Sequence, residues 1–353
     1  MKKIISSLIV LSVLAACTKH STTLASYQNT ATTLSVPKKF PTPVIPSDNP
    51  LTVEGIILGR YLYYDNILST NGRSCSSCHM PENSFSLPIF ITSKGEHVSV
   101  PAHVNLAWDP DYTWNGSVTK MDIVGLADFG PAFFNTNMSE LTSKLKAHPK
   151  YPSLFKQAYD IDDIGKLSPD ELQLKIVYAI SQFLRTLISS DSKFDKWMRH
   201  ETMFTDEEML GYEIFFSEKG DCFHCHDYPL MTSNTFNNTG LDSIHSGQNL
   251  GRYLVTGAES DKGKFSAPTL RNIAYTAPYM HDGRFKTLEE VIDFYNSGVH
   301  WTSPNIDPIM TKSFKKYGLS LSPVQKSNLL QFLKTLSDTT FLNNKAFKKP
   351  LDL

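Results

Sequence analysis

Apolar residues along the chain recur mostly at helical spacing, and each such run is preceded by a helix-start signal. Ser168-Pro169-Asp170-Glu171 supplies an N-cap, a first-turn proline and a capping-box glutamate, which predicts a helix over Leu172 to Ile188. Thr205 with Glu208, Thr287 with Glu290, and Ser322-Pro323 with Gln325 repeat that logic ahead of further periodic runs. Val177, Ile180, Phe183 and Leu184 share one face of the long helix and read as domain core rather than cofactor wall. Strand signals are few and short, Ile89 to Thr92 being one. The pattern therefore predicts a mainly α-helical protein with long loops. Two N-terminal stretches depart from it. Ile4 to Ala16 is a short apolar run behind Met1-Lys2-Lys3, and residues 18–48 are rich in Ser, Thr and Pro without periodicity, as expected of a flexible tether.

The apolar run is too short to span a bilayer and ends in Leu14-Ala15-Ala16-Cys17. It reads as a signal peptide, residues 1–17, and its end resembles the bacterial lipoprotein box, in which the cysteine is acylated. Cys17 is then a membrane anchor on the periplasmic side. An ordinary signal peptide with an incidental cysteine is the alternative.

The chain has 353 residues, 34 basic against 35 acidic, and 41% hydrophobic content. Near-neutral charge excludes binding to nucleic acid by bulk charge, and the composition excludes disorder. The length suggests two domains. Five cysteines are too few and too odd in number for a disulfide framework. Cys75-Ser-Ser-Cys78-His79 and Cys222-Phe-His-Cys225-His226 are both Cys-x-x-Cys-His. Two thiols at this spacing add to the two vinyl groups of one haem, and the adjacent histidine becomes the proximal ligand. A four-cysteine zinc site would leave both histidines unexplained, and a thioredoxin-like pair would need one motif beside a βαβ pattern. Two covalently bound c-type haems are the expected cofactors.

A second signature follows each attachment site. Pro101-Ala-His-Val-Asn105 leads to Trp114-Asn115-Gly116, and Pro268-Thr-Leu-Arg-Asn272 leads to His281-Asp282-Gly283, with the same spacings in both copies. Upstream, Leu58-Gly59 parallels Leu210-Gly211. One haem domain has been duplicated, giving two tandem cytochrome c-like haem domains with long haem-wrapping loops. Their expected bounds are 49–195 and 203–345, joined by a linker from Ile188 to about Phe204.

These motifs, above all Ala267-Pro268 through Met280-His281-Asp282-Gly283 to Glu290-Val291, resemble the bacterial di-haem cytochrome c peroxidase family with its MauG-type branch. The resemblance spans roughly residues 50 to 340. It implies that the N-terminal haem binds H2O2 and that the C-terminal haem passes electrons from a small cytochrome c or copper protein. It implies His79 and His226 as proximal ligands and Trp114 as a relay between the haems. Family peroxidases place a methionine fourteen residues after the His of His-Asp-Gly, where MauG-type members carry a tyrosine; here that residue is Tyr295. A phenolate would stabilise ferric and ferryl iron, with Met280 or Met310 as the alternative ligand.

Other positions depart from the family. Its acid-base glutamate stands six residues after the proline of Gly-Pro, and the residue six after Pro131 is Asn137, which cannot take a proton. The resemblance therefore leaves that role to Glu140, a histidine or water. Ser117 replaces a common arginine, and Gly95 replaces a histidine ligand of the resting first haem, leaving His97 and His103 as candidates. The family's calcium site uses carbonyls near Thr-x-Pro, matched by Thr276 and Pro278, and an asparagine replaced here by Ser99. His148, His200, His245 and His300 sit in no motif. Three functions are expected to compete: a peroxidase, a MauG-type oxidase of a protein or organic substrate, and a di-haem electron carrier that is not an enzyme.

Overall fold

The computed structural model describes residues 27, 30–92, 95–315 and 318–353. The expected signal peptide, residues 1–17 with Cys17, lies outside them. Two helix pairs form the frame, and they are the two copies of one unit. Val53–Tyr64 packs on Pro169–Arg185, and Asp206–Phe215 packs on Pro323–Thr335. The repeated glycine explains both crossings. A Cβ on Gly59 would lie 1.9 Å from the Ala179 carbonyl oxygen, and one on Gly211 would lie 2.0 Å from that of Asn328. Only glycine lets the backbones approach this closely.

The cap signals all act as read. Ser168, Thr205, Thr287 and Ser322 each accept from the backbone N–H three residues on, and the Glu or Gln there reaches back to the cap. The long helix covers Pro169–Arg185, ending earlier than the apolar pattern suggests. Phe183 meets Tyr63 and Tyr64, and Val177 and Leu184 are buried in the core with Ile180 packed against it, as the sequence pattern predicts; Val177, Ile180 and Leu184 also line the central cavity, so one face serves both. Strands are few. Leu87–Ile91 pairs antiparallel with His97–Val100, and Phe236–Asn237 with Phe265–Ser266.

The rest of the repeat is a fastening device. Asn105 and Asn272 both take left-handed backbone. The Asn105 amide accepts from Ser189 N–H at 2.8 Å and donates to its carbonyl at 3.1 Å; Asn272 accepts from Asp338 N–H at 2.7 Å. Each asparagine so ties its motif to the chain just past the closing helix of its unit. Tyr112 N–H then donates to Val118 and Tyr279 N–H to Phe285, both at 2.7 Å, closing equivalent turns around Trp114 and His281.

Three boundaries differ from the sequence reading. Residues 30–48 are no loose tether. Thr30 donates to Glu54, Thr32 N–H to Leu51, and buried Phe40 meets the edge of Trp108 at 5.2 Å with the Arg271 guanidinium over its ring at 4.9 Å. One aromatic anchor and backbone pairing suffice to hold a polar segment down. The Ile188 to Phe204 linker contains the helix Lys193–Met198, whose Phe194 is in the second core. The chain after Thr339 returns to the first unit, where Phe341 and Phe347 join Tyr63, Tyr64 and Phe85.

Candidate functional site: a two-centre cavity

One continuous cavity of about 630 Å³ runs between the two helix pairs, lined by Cys75, Cys78 and His79 on one side and Cys222, Cys225 and His226 on the other. The repeated proline has a visible purpose here. His79 Nδ1 lies 3.1 Å from the Phe85 carbonyl, with the Pro101 backbone also within reach of the imidazole, and His226 Nδ1 lies 3.1 Å from the Pro268 carbonyl. A carbonyl only accepts, so each Nδ1 carries the proton and each Nε2 offers its lone pair. Burial pushes both imidazoles down to about 4, so they are neutral at pH 7, as a metal ligand must be.

The thiols fit the same chemistry. All four cysteines are free, and burial pushes Cys222 up to about 12, Cys225 to about 11 and both first-site thiols above their ordinary value. A thioredoxin-type nucleophile needs the opposite shift, and a four-cysteine zinc site needs the thiols in one cluster, which they do not form among the described residues. Neutral thiols beside a predominantly apolar cavity, with an aimed imidazole next to each pair, suit a porphyrin held by two thioethers and one nitrogen.

Trp114 lines the cavity at the seam between the units. Its indole N–H donates to the Ser99 carbonyl at 2.6 Å, Ser99 N–H donates to the His281 carbonyl at 2.7 Å, and Ser266 N–H donates to the Trp114 carbonyl at 2.8 Å. Tyr295 also lines the cavity, on the π-helical turn Phe294–Gly298. Burial raises its phenol well above the ordinary range, aided by the nearby Cys225 and Cys222, and opposed by a hydrogen bond from the Thr239 side chain. Met280 and Met310 reach the same wall, so all three candidate ligands stand together.

Other expected residues stand elsewhere. His97 is exposed, and it is Val98, Ser99 and Val100 that reach the cavity. His103 stacks on His79 with ring centres 3.5 Å apart, on the proximal side rather than across from it. Pro131 and Asn137 are exposed, and Asn137 serves as the N-cap of Met138–Ala147, accepting from Glu140 N–H at 3.1 Å. Glu140 is itself exposed and pairs with Lys144 at 2.7 Å. The family spacing after Gly130-Pro131 thus lands on a helix cap, because the chain turns outward there. Thr276 and Pro278 line the cavity, the Pro278 carbonyl accepting from the Ser99 hydroxyl at 3.3 Å. Among the described residues no three carboxylate, imidazole or thiol groups converge there; the one such trio, Glu218, Asp221 and His224, is paired with Lys312 and Lys315.

The cavity also holds carboxyls that belong to none of the sequence motifs. Asp109 and Asp128 line it, and burial alone pushes each up to about 7. The sequence did carry a signal for Asp128, which is the register of the internal repeat.

Comparison with known proteins agrees with this construction. The family described as di-haem cytochrome c peroxidase matches residues 53–203. The methylamine utilization protein MauG of Methylophilus methylotrophus is 30% identical, covering 87% of this chain and 91% of that protein. Cytochrome-c peroxidase IdrP1 of Denitromonas iodatirespirans is 31% identical, covering 88% and 89%. A solved structure of a MauG-like protein associated with microbial copper homeostasis superposes with a TM-score of 0.78 at 33% identity, covering 91% of this chain and 99% of that one. The chain belongs to the di-haem cytochrome c peroxidase and MauG family, whose members carry two c-type haems.

Proposed function

We propose that this protein reduces H2O2 at the centre beside His79, with electrons entering at the centre beside His226 from a small cytochrome c or copper protein. The observation that carries the proposal is the arrangement of two carbonyl-oriented imidazoles on one cavity, with Trp114 at the seam. When bound, the haems supply iron that coordinates peroxide and takes up electrons one at a time. The chain's own residues do the rest. The Phe85, Pro101 and Pro268 carbonyls fix each histidine's tautomer and aim. Val177, Ile180 and Leu184 keep bulk water from the first centre. The Trp114 indole is locked in one orientation by Ser99.

A MauG-type oxidation of a protein or organic substrate is the second reading, favoured by Tyr295 on the wall of the second centre. Mixing the protein with H2O2 in a stopped-flow spectrometer and then assaying reduced cytochrome c separates the cases. Multiple turnovers of cytochrome c are expected for the peroxidase. A high-valent spectrum without such turnover supports the oxidase, and bleaching without either supports a carrier. Export to the periplasmic side with a lipid on Cys17 belongs to the same proposal, because covalent haem attachment takes place outside the cytoplasm. Mass spectrometry of the mature N-terminus tests it, and an unacylated Cys17 would refute the anchor.

A further inference from the structure

The two units of the cavity can be superposed by the register of the repeat, and one pair of positions then becomes informative. Asn105 corresponds to Asn272, Tyr112 to Tyr279, Trp114 to His281 and Gly116 to Gly283, a constant offset of 167 residues. The structure keeps that register beyond the turn. Met121 starts one helix and Leu288 starts the other, again 167 apart. Continuing, Asp128 takes in the first unit the position that Tyr295 takes in the second. The surroundings match as well. Tyr295 lies within electrostatic reach of Cys222 and Cys225, and Asp128 lies within reach of Cys75 and Cys78.

We propose that Asp128 stands over the open face of the first centre and exchanges protons with the peroxide bound there. This rests on the peroxidase reading above and adds the residue that moves the proton. Three observations support it. An aspartate is shorter than a tyrosine by a whole ring, so the same backbone position that brings a phenol toward one porphyrin leaves space for a small molecule at the other. The Asp128 carboxyl lines the cavity and accepts no hydrogen bond from any side chain or backbone group among the described residues, so nothing in the fold occupies it. Phe85, Pro101, His103 and Tyr63 contact His79, and Asp128 contacts none of these groups nor His79 itself but faces the cavity, so it is free of the proximal set.

Burial holds the carboxyl near neutrality at about 7, where a group that both takes and returns a proton works best. The charged and titratable groups around it are Cys75, Cys78 and Arg73 on the attachment turn, with Asp109 and Asp111 elsewhere on the wall. Gly125 separates it from Val177 of the long helix. In the step proposed, the O–H bond on the near peroxide oxygen breaks and the proton forms an O–H bond with the carboxylate. The same proton then passes to the far oxygen, which leaves as water when the O–O bond breaks. The proton count is unchanged by Asp128, and the two electrons come ultimately from the reduced donor protein.

The test compares wild type, Asp128→Asn and Asp128→Glu, each first shown to hold two haems. Stopped-flow mixing with H2O2 is expected to give a wild-type rate that falls as pH drops through about 7, the carboxylate being the active form. Asp128→Asn is expected to be about 10²- to 10⁴-fold slower with a flat profile, and Asp128→Glu to restore a pH-dependent rate. Cyanide binding to the ferric protein is the second readout, since HCN must also lose a proton to bind. The same loss of pH dependence is expected in Asp128→Asn. Wild-type rates and pH profiles for Asp128→Asn in both assays would overturn the proposal. A wild type inert to peroxide would refute the peroxidase reading instead, and the cyanide arm would still decide the position of Asp128.

Discussion

Replacing Gly211 by alanine tests the physical basis of the duplicated frame. The added methyl would lie 2.0 Å from the Asn328 carbonyl oxygen, 2.7 Å from its carbon and 2.8 Å from Phe332 Cβ. Two of these atoms are backbone in the middle of the partner helix and cannot swing aside, so the helices must part. Overpacking of this kind costs about 1–3 kcal/mol, and the rigidity of both partners places this case near 3. For a unit of this size about 3 kcal/mol lowers Tm by roughly 6–12 °C. Thermal unfolding followed by circular dichroism measures it, with Leu210→Ala as the control. Leu210 is on the same helix, adjacent and exposed, and a surface change there is expected to cost below about 0.5 kcal/mol. The helix pair also supplies Phe215, Leu329 and Leu333 to the wall of the second centre, so Gly211→Ala is expected to lose haem there first. Melting of Gly211→Ala together with wild type would refute the close-crossing argument.

Further outcomes follow from the same contacts. Arg271→Ala leaves Asp195 buried and unpaired, since the guanidinium grips both carboxylate oxygens at 2.8 and 2.9 Å, and is expected to cost about 3–5 kcal/mol in denaturant titration. Burial alone would raise the Asp195 carboxyl, but Arg271 holds it below its ordinary range, so its contribution is present above about pH 4 and lost as pH falls through the lowered value. Acid unfolding of Asp195→Asn should therefore be less steep in that window than that of wild type. Trp114→Phe removes the indole donor to Ser99 and is expected to slow electron transfer between the centres while haem content stays at two, as read by flash photolysis. Tyr295→Phe is expected to change the ferric spectrum of the second haem, and an unchanged spectrum would return that ligand position to Met280 or Met310.

Much of this architecture is legible in the residue order because it is written locally. Cap residues act within one turn, so the four helix starts are where Ser168, Thr205, Thr287 and Ser322 announce them. The attachment pentads and the Pro-to-Asn spacing are short as well, and each maps onto one contact, the proline carbonyl on the histidine and the asparagine on the chain beyond the closing helix. What was hidden depends on direction after a turn. Counting six residues past Pro131 cannot show that the chain has left the cavity, and Asn137 proves to be a cap. His97 and Val98 are neighbours in sequence, yet Val98 through Val100 reach the wall while His97, paired with exposed Ile91 at the outer end of the hairpin, does not. Phe40, buried in an otherwise polar segment, carries no periodic signal at all. Asp128 was legible, but only by carrying the register of one copy onto the other.

The central claim is that two porphyrins are bound covalently, one at each Cys-x-x-Cys-His motif. Intact-mass spectrometry of the denatured mature protein, made in a host that attaches c-type haem, measures this directly. The account predicts a mass increased by two haem groups, shifting by one when Cys75 and Cys78, or Cys222 and Cys225, are changed to alanine. A wild-type mass carrying one haem or none would contradict it.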